Sequence, residues 1–224
     1  MAVTKININR RFNVNVITPK IWHCHNARSL RPLWAMEEMG IEYDVEILPF
    51  PPRLHKKEYL ATNVLGTVPF FVDGDTEMTE STGICHYLVE RFDKQEFALP
   101  AGHPEFGDFL NWLYHSDATL TFPLTLVFRY SALEPEERRL PQVVEDYSKW
   151  YIARLRWLDA HIVDREYLVG GKFTIADIAV GYALYFGRSL ELDSEYAPQV
   201  SAYLDRLIER PAFQRAVQVG APVT

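Results

Sequence analysis

The sequence predicts a mixed α/β domain followed by an all-helical domain, and three observations carry that reading. Residues 18–94 run strand, helix, strand, a connection, then strand, strand, helix. Residues 95–104 hold Pro100, Gly102 and Pro104 and read as a linker. Every patterned stretch beyond them repeats its apolar residues at helical spacing. Such a change of pattern argues for two packed domains, 18–94 and 105–224, each with its own layers.

Taken in order, residues 1–17 are polar and mixed, with Arg10 and Arg11 adjacent, and read as an N-terminal extension. Lys20 to Cys24 is a short strand. Asn26 to Met39 is a helix, with Leu30, Leu33, Trp34 and Met36 near helical spacing and Gly40 as its stop. Tyr43 to Leu48 alternates as a second strand, broken by Pro51 and Pro52, and His55 to Ala61 is a short helical or irregular piece. Thr67 to Val72 is strand-like, Asp73-Gly74 signals a turn, and Glu77 to Thr79 returns as the other arm of a hairpin. Ser81 opens a helix that runs to Arg91. After the linker, Phe106 to Tyr130 is one long amphipathic stretch bent at Pro123, Pro141 to Val163 is a second, and Thr174 to Phe186 and Ala197 to Ile208 follow.

Composition excludes several classes of function. The chain is 48% hydrophobic and 24% charged, as expected of an ordinary globular protein. Its net charge of −7, with no basic block, argues against a nucleic-acid partner. No apolar run approaches the roughly 20 residues that cross a bilayer, so no membrane partner is expected. The first residues lack the apolar core of a secretory signal. Cys24 and Cys85 make no disulfide framework, and a reducing, cytoplasmic compartment is the natural expectation.

Two short motifs carry chemistry. In Gly66-Thr67-Val68-Pro69 a proline stands where a strand begins, a place that suits a cis bond. With Val68-Pro69 cis, the Val68 N–H and C=O turn from the sheet and can pair with an extended peptide as an added strand would. A plain strand-entry proline fits the tetrapeptide equally well. In Glu80-Ser81 the serine sits at a helix N-terminus, where its hydroxyl and the free N–H groups suit a carboxylate, while Glu80 suits an ammonium group. Alone, Ser81 is an ordinary N-cap. Together the motifs describe a site for a short peptide bearing a free, γ-linked glutamate, and glutathione fits.

The run Asn63-Val64-Leu65-Gly66-Thr67-Val68-Pro69, then Asp73-Gly74, then Thr79 to Leu88, resembles the N-terminal domain of soluble glutathione transferases. Phe173 to Ala179 resembles their capping-box motif, with Thr174 and Asp177 as its reciprocal pair, and Arg210 to Gln214 resembles their final helix. The likeness spans roughly residues 18–218 and is of the cytosolic, bacterial type. It implies a thioredoxin-like N-terminal domain with an all-helical C-terminal domain, glutathione as co-substrate, a hydrophobic electrophile as second substrate, a cytoplasmic homodimer and a role in detoxification. Glutathione contacts then fall on Val68, Pro69, Glu80 and Ser81, with His55 or Lys56 as the cation for the glycine carboxylate.

The family places a hydrogen-bond donor against the thiol, after the first strand or at the start of the first helix. Such a donor stabilises the reactive thiolate. Here that segment reads His23-Cys24-His25-Asn26-Ala27-Arg28-Ser29, and Ala27 stands where a serine is usual. The candidates in order are Asn26, Ser29 and Arg28; Asn26 could equally cap the first helix. Cys24 raises glutathione-dependent disulfide reduction, yet it lies two residues before the family's cysteine position and has no second cysteine in a C-x-x-C pair. His23 and His25 point to opposite faces of a strand from Cys24, so no metal site is expected. The aromatic residues Trp112, Phe122, Phe128 and Tyr130 are candidates for the second substrate's surroundings by segment only. A non-catalytic glutathione-binding or regulatory module of the same fold remains the alternative reading, and the missing serine at position 27 is its support.

Overall fold

A computed structural model describes residues 18–222. The polar segment 1–17, read as an extension, lies outside the described residues. Four strands, β1 (Lys20–His23), β2 (Asp44–Ile47), β3 (Phe70–Asp73) and β4 (Thr76–Met78), form one sheet in the order β2-β1-β3-β4. β1 and β2 are parallel, in register Ile21 to Val45, and helix α1 (Leu30–Met39) joins them. β3 runs antiparallel to both β1 and β4. Asp73 pairs with Thr76, so the hairpin loop is Gly74-Asp75 rather than Asp73-Gly74, with Gly74 at φ +60°. Short helix α2 (Pro52–His55) and a 3₁₀ turn over Lys57–Ala61 lie between β2 and β3, and α3 (Ser81–Arg91) follows β4.

Two expectations need correction here. The first helix begins at Leu30, not Asn26, because Asn26 adopts φ +59°, a left-handed conformation that asparagine tolerates and a helix does not. Asn26 is therefore no helix cap. The strand expected over Thr67–Val72 starts only at Phe70: Val68-Pro69 is cis, and Thr67 is held by Tyr59 and Asn63, both donating to its carbonyl at 2.9 Å.

Among the described residues the elements from Phe106 onward are helical, apart from one isolated bridge between Val169 and Lys172: α4 (Phe106–His115), α5 (Phe122–Phe128), α6 (Pro141–His161), α7 (Ile175–Ser189), α8 (Pro198–Ile208) and α9 (Pro211–Gln218), with short 3₁₀ turns between. The long stretch expected over Phe106–Tyr130 is broken upstream of Pro123. A wide π turn over Ser116–Thr121 separates α4 from α5, and a second follows over Arg129–Leu133. The Thr121 hydroxyl closes the first by donating to the Ser116 carbonyl at 2.7 Å.

Helix α7 is apolar nearly all round, which is the pattern of a helix buried on every side. It starts on the expected capping box. The Thr174 hydroxyl accepts from the Ala176 N–H while the Asp177 carboxylate accepts from the Thr174 N–H. Gly181 brings α7 against α1, since a Cβ there would lie 3.2 Å from the Trp34 ring and 2.8 Å from Leu207. Trp34 stacks edge-on against Phe213 of α9 at 4.9 Å. One continuous core thus joins the sheet's helices to the helical half.

Candidate functional site

The C-terminal end of β1, the turn after it, the segment before β3 and the start of α3 hold the predicted site residues. Ala27 and Val68 both pack on the small cluster of Trp22, Cys24, Leu48, Tyr59 and Phe70, so the turn and the segment before β3 share one apolar support. Val68 is half-buried, and among the described residues its N–H and C=O make no backbone hydrogen bond. Its main chain is open to an added extended strand.

Ser81 begins α3 and is almost fully buried, while the preceding Glu80 is exposed with extended backbone. The Ser81 hydroxyl accepts from Arg31 Nη1 at 3.0 Å. Arg31 has no accessible surface, and all five of its N–H groups are used. Nε donates to the Ala179 carbonyl, Nη1 to Ser81 and to Asp117 Oδ1, and Nη2 to the Ser116 carbonyl and Thr121 Oγ1, at 2.7–3.3 Å. The π turn before α5 supplies three of those acceptors. Arg31 also lies 4.6 Å over the Tyr182 ring.

Asn26 is exposed on its turn and held from α7. Tyr185 donates to Asn26 Oδ1 at 3.1 Å, and Tyr182 donates to the Asn26 carbonyl at 3.3 Å. With its oxygen taken, the side chain presents Nδ2 as a donor with no partner among the described residues. Arg28 is half-exposed and tied across the molecule, donating to Thr125 Oγ1 of α5 at 2.8 Å and lying 3.7 Å from Asp117.

Ser29 is withdrawn from the site, and its candidacy as a thiol donor is corrected. It has no accessible surface and sits 2.7 Å from His23 Nδ1. His23 Nε2 faces the Val219 carbonyl at 3.1 Å. A carbonyl only accepts, so the neutral ring carries its proton on Nε2, and Nδ1 takes the Ser29 proton. Burial, partly opposed by the Val219 bond, brings the His23 pKa from the ordinary 6.5 down to about 4. The neutral ring's stabilisation is complete above about pH 6.5 and is lost as the pH falls toward 4, where the folded state itself takes the proton. That difference corresponds to about 3 kcal/mol. Urea unfolding from pH 7 to 4.5 should show this loss in the native chain and a much flatter profile in His23→Gln; parallel profiles would remove His23 as the cause.

Cys24 is fully buried, and burial pushes its thiol up to about 12. A protonated, inaccessible thiol neither attacks nor is attacked, which removes the observation behind disulfide reduction. Among the described residues no group of three or more His, Cys, Asp and Glu side chains gathers to hold a metal ion. Of the two cation candidates on the connection after β2, Lys56 is paired with Glu46 at 3.0 Å, and His55 is exposed. Hydrogen bonds from Lys20, and then from Lys56, hold the Glu46 carboxyl below its usual range.

The four aromatic candidates separate. Trp112 is core, stacked on Trp157 at 4.7 Å. Phe122 lines an open groove of about 590 Å³ with Trp150 and Trp157. Phe128 meets Phe50 at 6.0 Å and Phe186 at 5.9 Å, and Phe186 stacks on Tyr182. This array runs from Tyr182, which holds Asn26, to the exposed ring of Phe50. Tyr130 joins neither group. Sequence reasoning missed Arg31, Asp117, Tyr182 and Tyr185. The available signal was Arg31 itself, a lone charge inside the apolar run Leu30–Met36.

Two family models match the chain: Glutathione S-transferase, N-terminal domain, over residues 23–96, and Glutathione S-transferase, C-terminal domain, over residues 119–211. The chain is 26% identical over 201 residues to the glutathione S-transferase GstA of Escherichia coli O157:H7, covering 88% of this chain and 96% of that one. It is 28% identical over 199 residues to glutathione S-transferase 3 of Zea mays, covering 84% and 87%. The theta class glutathione S-transferase of Xanthomonas axonopodis pv. citri, solved with glutathione bound, superposes with a TM-score of 0.78 at 26% identity over 92% of this chain and 99% of that one.

Proposed function

Because this chain belongs to the glutathione S-transferase family, we propose that it binds glutathione along the end of β1 and activates its thiol for attack on a hydrophobic electrophile. The observation that carries the reading is Asn26: its carboxamide oxygen is fixed by Tyr185, so an unspent N–H donor stands on the turn whose next residue, Ala27, packs on the same small cluster as Val68. Val68 and Pro69 would take the peptide's backbone, Ser81 and the α3 N-terminus its γ-glutamyl carboxylate, and Glu80 its ammonium group. For the glycine carboxylate, His55 is the freer cation, since Lys56 is already paired. The electrophile would lie against Phe50, Phe128 and Phe186. Asn26 Nδ2–H donates to the sulfur, and the aromatic wall excludes water from the thiolate, so positioning and electrostatics supply the rate.

Residues 18–94 serve in this reading as the glutathione-binding domain and 105–224 as the helical domain, joined by 95–104. Adding glutathione at neutral pH should produce a saturable ultraviolet thiolate band. Binding seen by calorimetry without a band would favour the non-catalytic module, and neither signal would remove glutathione as the ligand.

A cytoplasmic homodimer belongs to the same proposal, with the N-terminal domain of one protomer on the helical domain of its partner. The exposed apolar residues Val64 and Leu65 on one half, and Phe122, Trp150 and Trp157 on the other, support it. No helix of the described residues is long and apolar enough to cross a membrane. Sedimentation at micromolar protein should give the dimer mass, and Trp157→Asp should shift it toward the monomer; a native chain that sediments as a monomer removes the assembly. Detoxification is the role we assign to a broad electrophile range.

A further inference from the structure

Arg31 carries a charge into the interior, with no accessible surface. The Ser81 hydroxyl has two lone pairs and one proton. Arg31 Nη1 donates to it at 3.0 Å and, being a guanidinium, accepts nothing in return. Among the described residues the Ser81 proton has no acceptor, although Ser81 is 98% buried by its 2% exposure. A buried donor without a partner is costly, so its acceptor comes from outside the chain. The guanidinium itself cannot turn: its other N–H groups are held by α7 and by the π turn before α5. Asp117 lies beside two arginines, Arg31 at 3.0 Å and Arg28 at 3.7 Å, so Arg31 keeps its charge in this buried place.

We propose that Arg31 is a positioning residue for the anion site at the start of α3: by occupying the Ser81 oxygen it commits the serine's proton outward, to the γ-glutamyl carboxylate of glutathione. This rests on the glutathione reading above. It also leaves the hydroxyl one lone pair and its proton for a ligand, and a carboxylate, which only accepts, uses the proton. The π turn thereby acquires a purpose, since it places Asp117, Thr121 and the Ser116 carbonyl where a regular helix would not.

The test is a double-mutant cycle read by calorimetry with glutathione, using Arg31→Met, Ser81→Ala and the pair. Arg31→Met alone should weaken glutathione about tenfold, in line with losing a charge-assisted hydrogen bond at a buried site. Steady-state assays should show the loss in KM for glutathione rather than in kcat. In the Ser81→Ala background the same substitution should add less than about twofold, because the effect travels through that hydroxyl. If Arg31→Met does not fold, Thr121→Val, which removes one of the guanidinium's holders, should weaken glutathione about threefold in the native background and not at all with Ser81→Ala. Losses that multiply in the cycle, or a folded Arg31→Met with unchanged affinity, overturn the positioning role alone. A native chain that does not bind glutathione, or a Ser81→Ala that binds it normally, overturns the anion-site reading beneath it.

Discussion

Asn26→Ala is expected to lower kcat/KM toward an aryl halide about a hundredfold at neutral pH, the scale on which removing one preorganised donor to a developing anion acts. A free thiol titrates near 8.5, so at neutral pH only a few per cent is thiolate, and each donor aimed at the sulfur raises that fraction. In the proposed site Asn26 supplies one. Its turn is set by a left-handed backbone, its carbonyl is held by Tyr182 and its side-chain oxygen by Tyr185, so in that proposal Nδ2 would meet the sulfur from a fixed position. The substitution should move the thiolate band and the acid limb of the pH–rate profile to higher pH together while glutathione still binds through Val68 and Ser81. Asn26→Asp should do worse, since a carboxylate repels the thiolate. Tyr185→Phe should fall between, because it frees the carboxamide to rotate without removing it. A thiolate band at unchanged pH in Asn26→Ala would exclude Asn26 as the donor and turn attention to Arg28.

The framework of the molecule was legible in the sequence because its signals are local. The α3 boundaries, Ser81 to Arg91, follow from a polar start after a strand and an apolar face. The Thr174 and Asp177 box follows from spacing, whereas Pro69 left a cis bond and a plain strand entry equally open, and the structure has the cis form. The site was legible only in part, because its hydrogen bonds join residues far apart in the chain. Nothing near Ser29 shows that its proton goes to His23, which a carbonyl 196 positions away holds in one tautomer. Nothing near Asn26 shows that α7 fixes it from residues 156 and 159 positions away. The helix expected from Asn26 failed for a local reason: apolar spacing begins near Leu30, and a helix pattern extrapolated upstream passes over a residue that favours a left-handed turn. A bend is expected at Pro123 because proline is the visible breaker, whereas the chain departs from α-helix just before it, in the π turn whose acceptors Arg31 uses.

Asp177→Ala is expected to cost about 4 kcal/mol of stability and about 10 °C in Tm, the larger share from buried groups left without partners. The Asp177 carboxylate has no accessible surface. Oδ1 accepts from the Leu168 N–H at 2.9 Å and from the Tyr203 hydroxyl at 2.8 Å, while Oδ2 accepts from the Thr174 N–H at 2.8 Å and its hydroxyl at 3.1 Å. Alanine removes every one of these acceptors at once and admits no water in their place. Thr174→Ala takes away only the cap to Ala176 and one donor, and should cost about 1 kcal/mol. Chemical denaturation of both variants decides this, and a loss below about 1 kcal/mol for Asp177→Ala would mean that the carboxylate's own burial cost cancels its bonds. The consequence reaches the site because α7 carries Ala179, Tyr182 and Tyr185, which hold Arg31 and Asn26. At a temperature where Asp177→Ala is still folded, its thiolate titration should therefore lie at higher pH than the native chain's. An unchanged titration would show that the first turn of α7 can loosen while the rest of the helix keeps Asn26 in place, so that the box secures folding and the tyrosines alone secure catalysis.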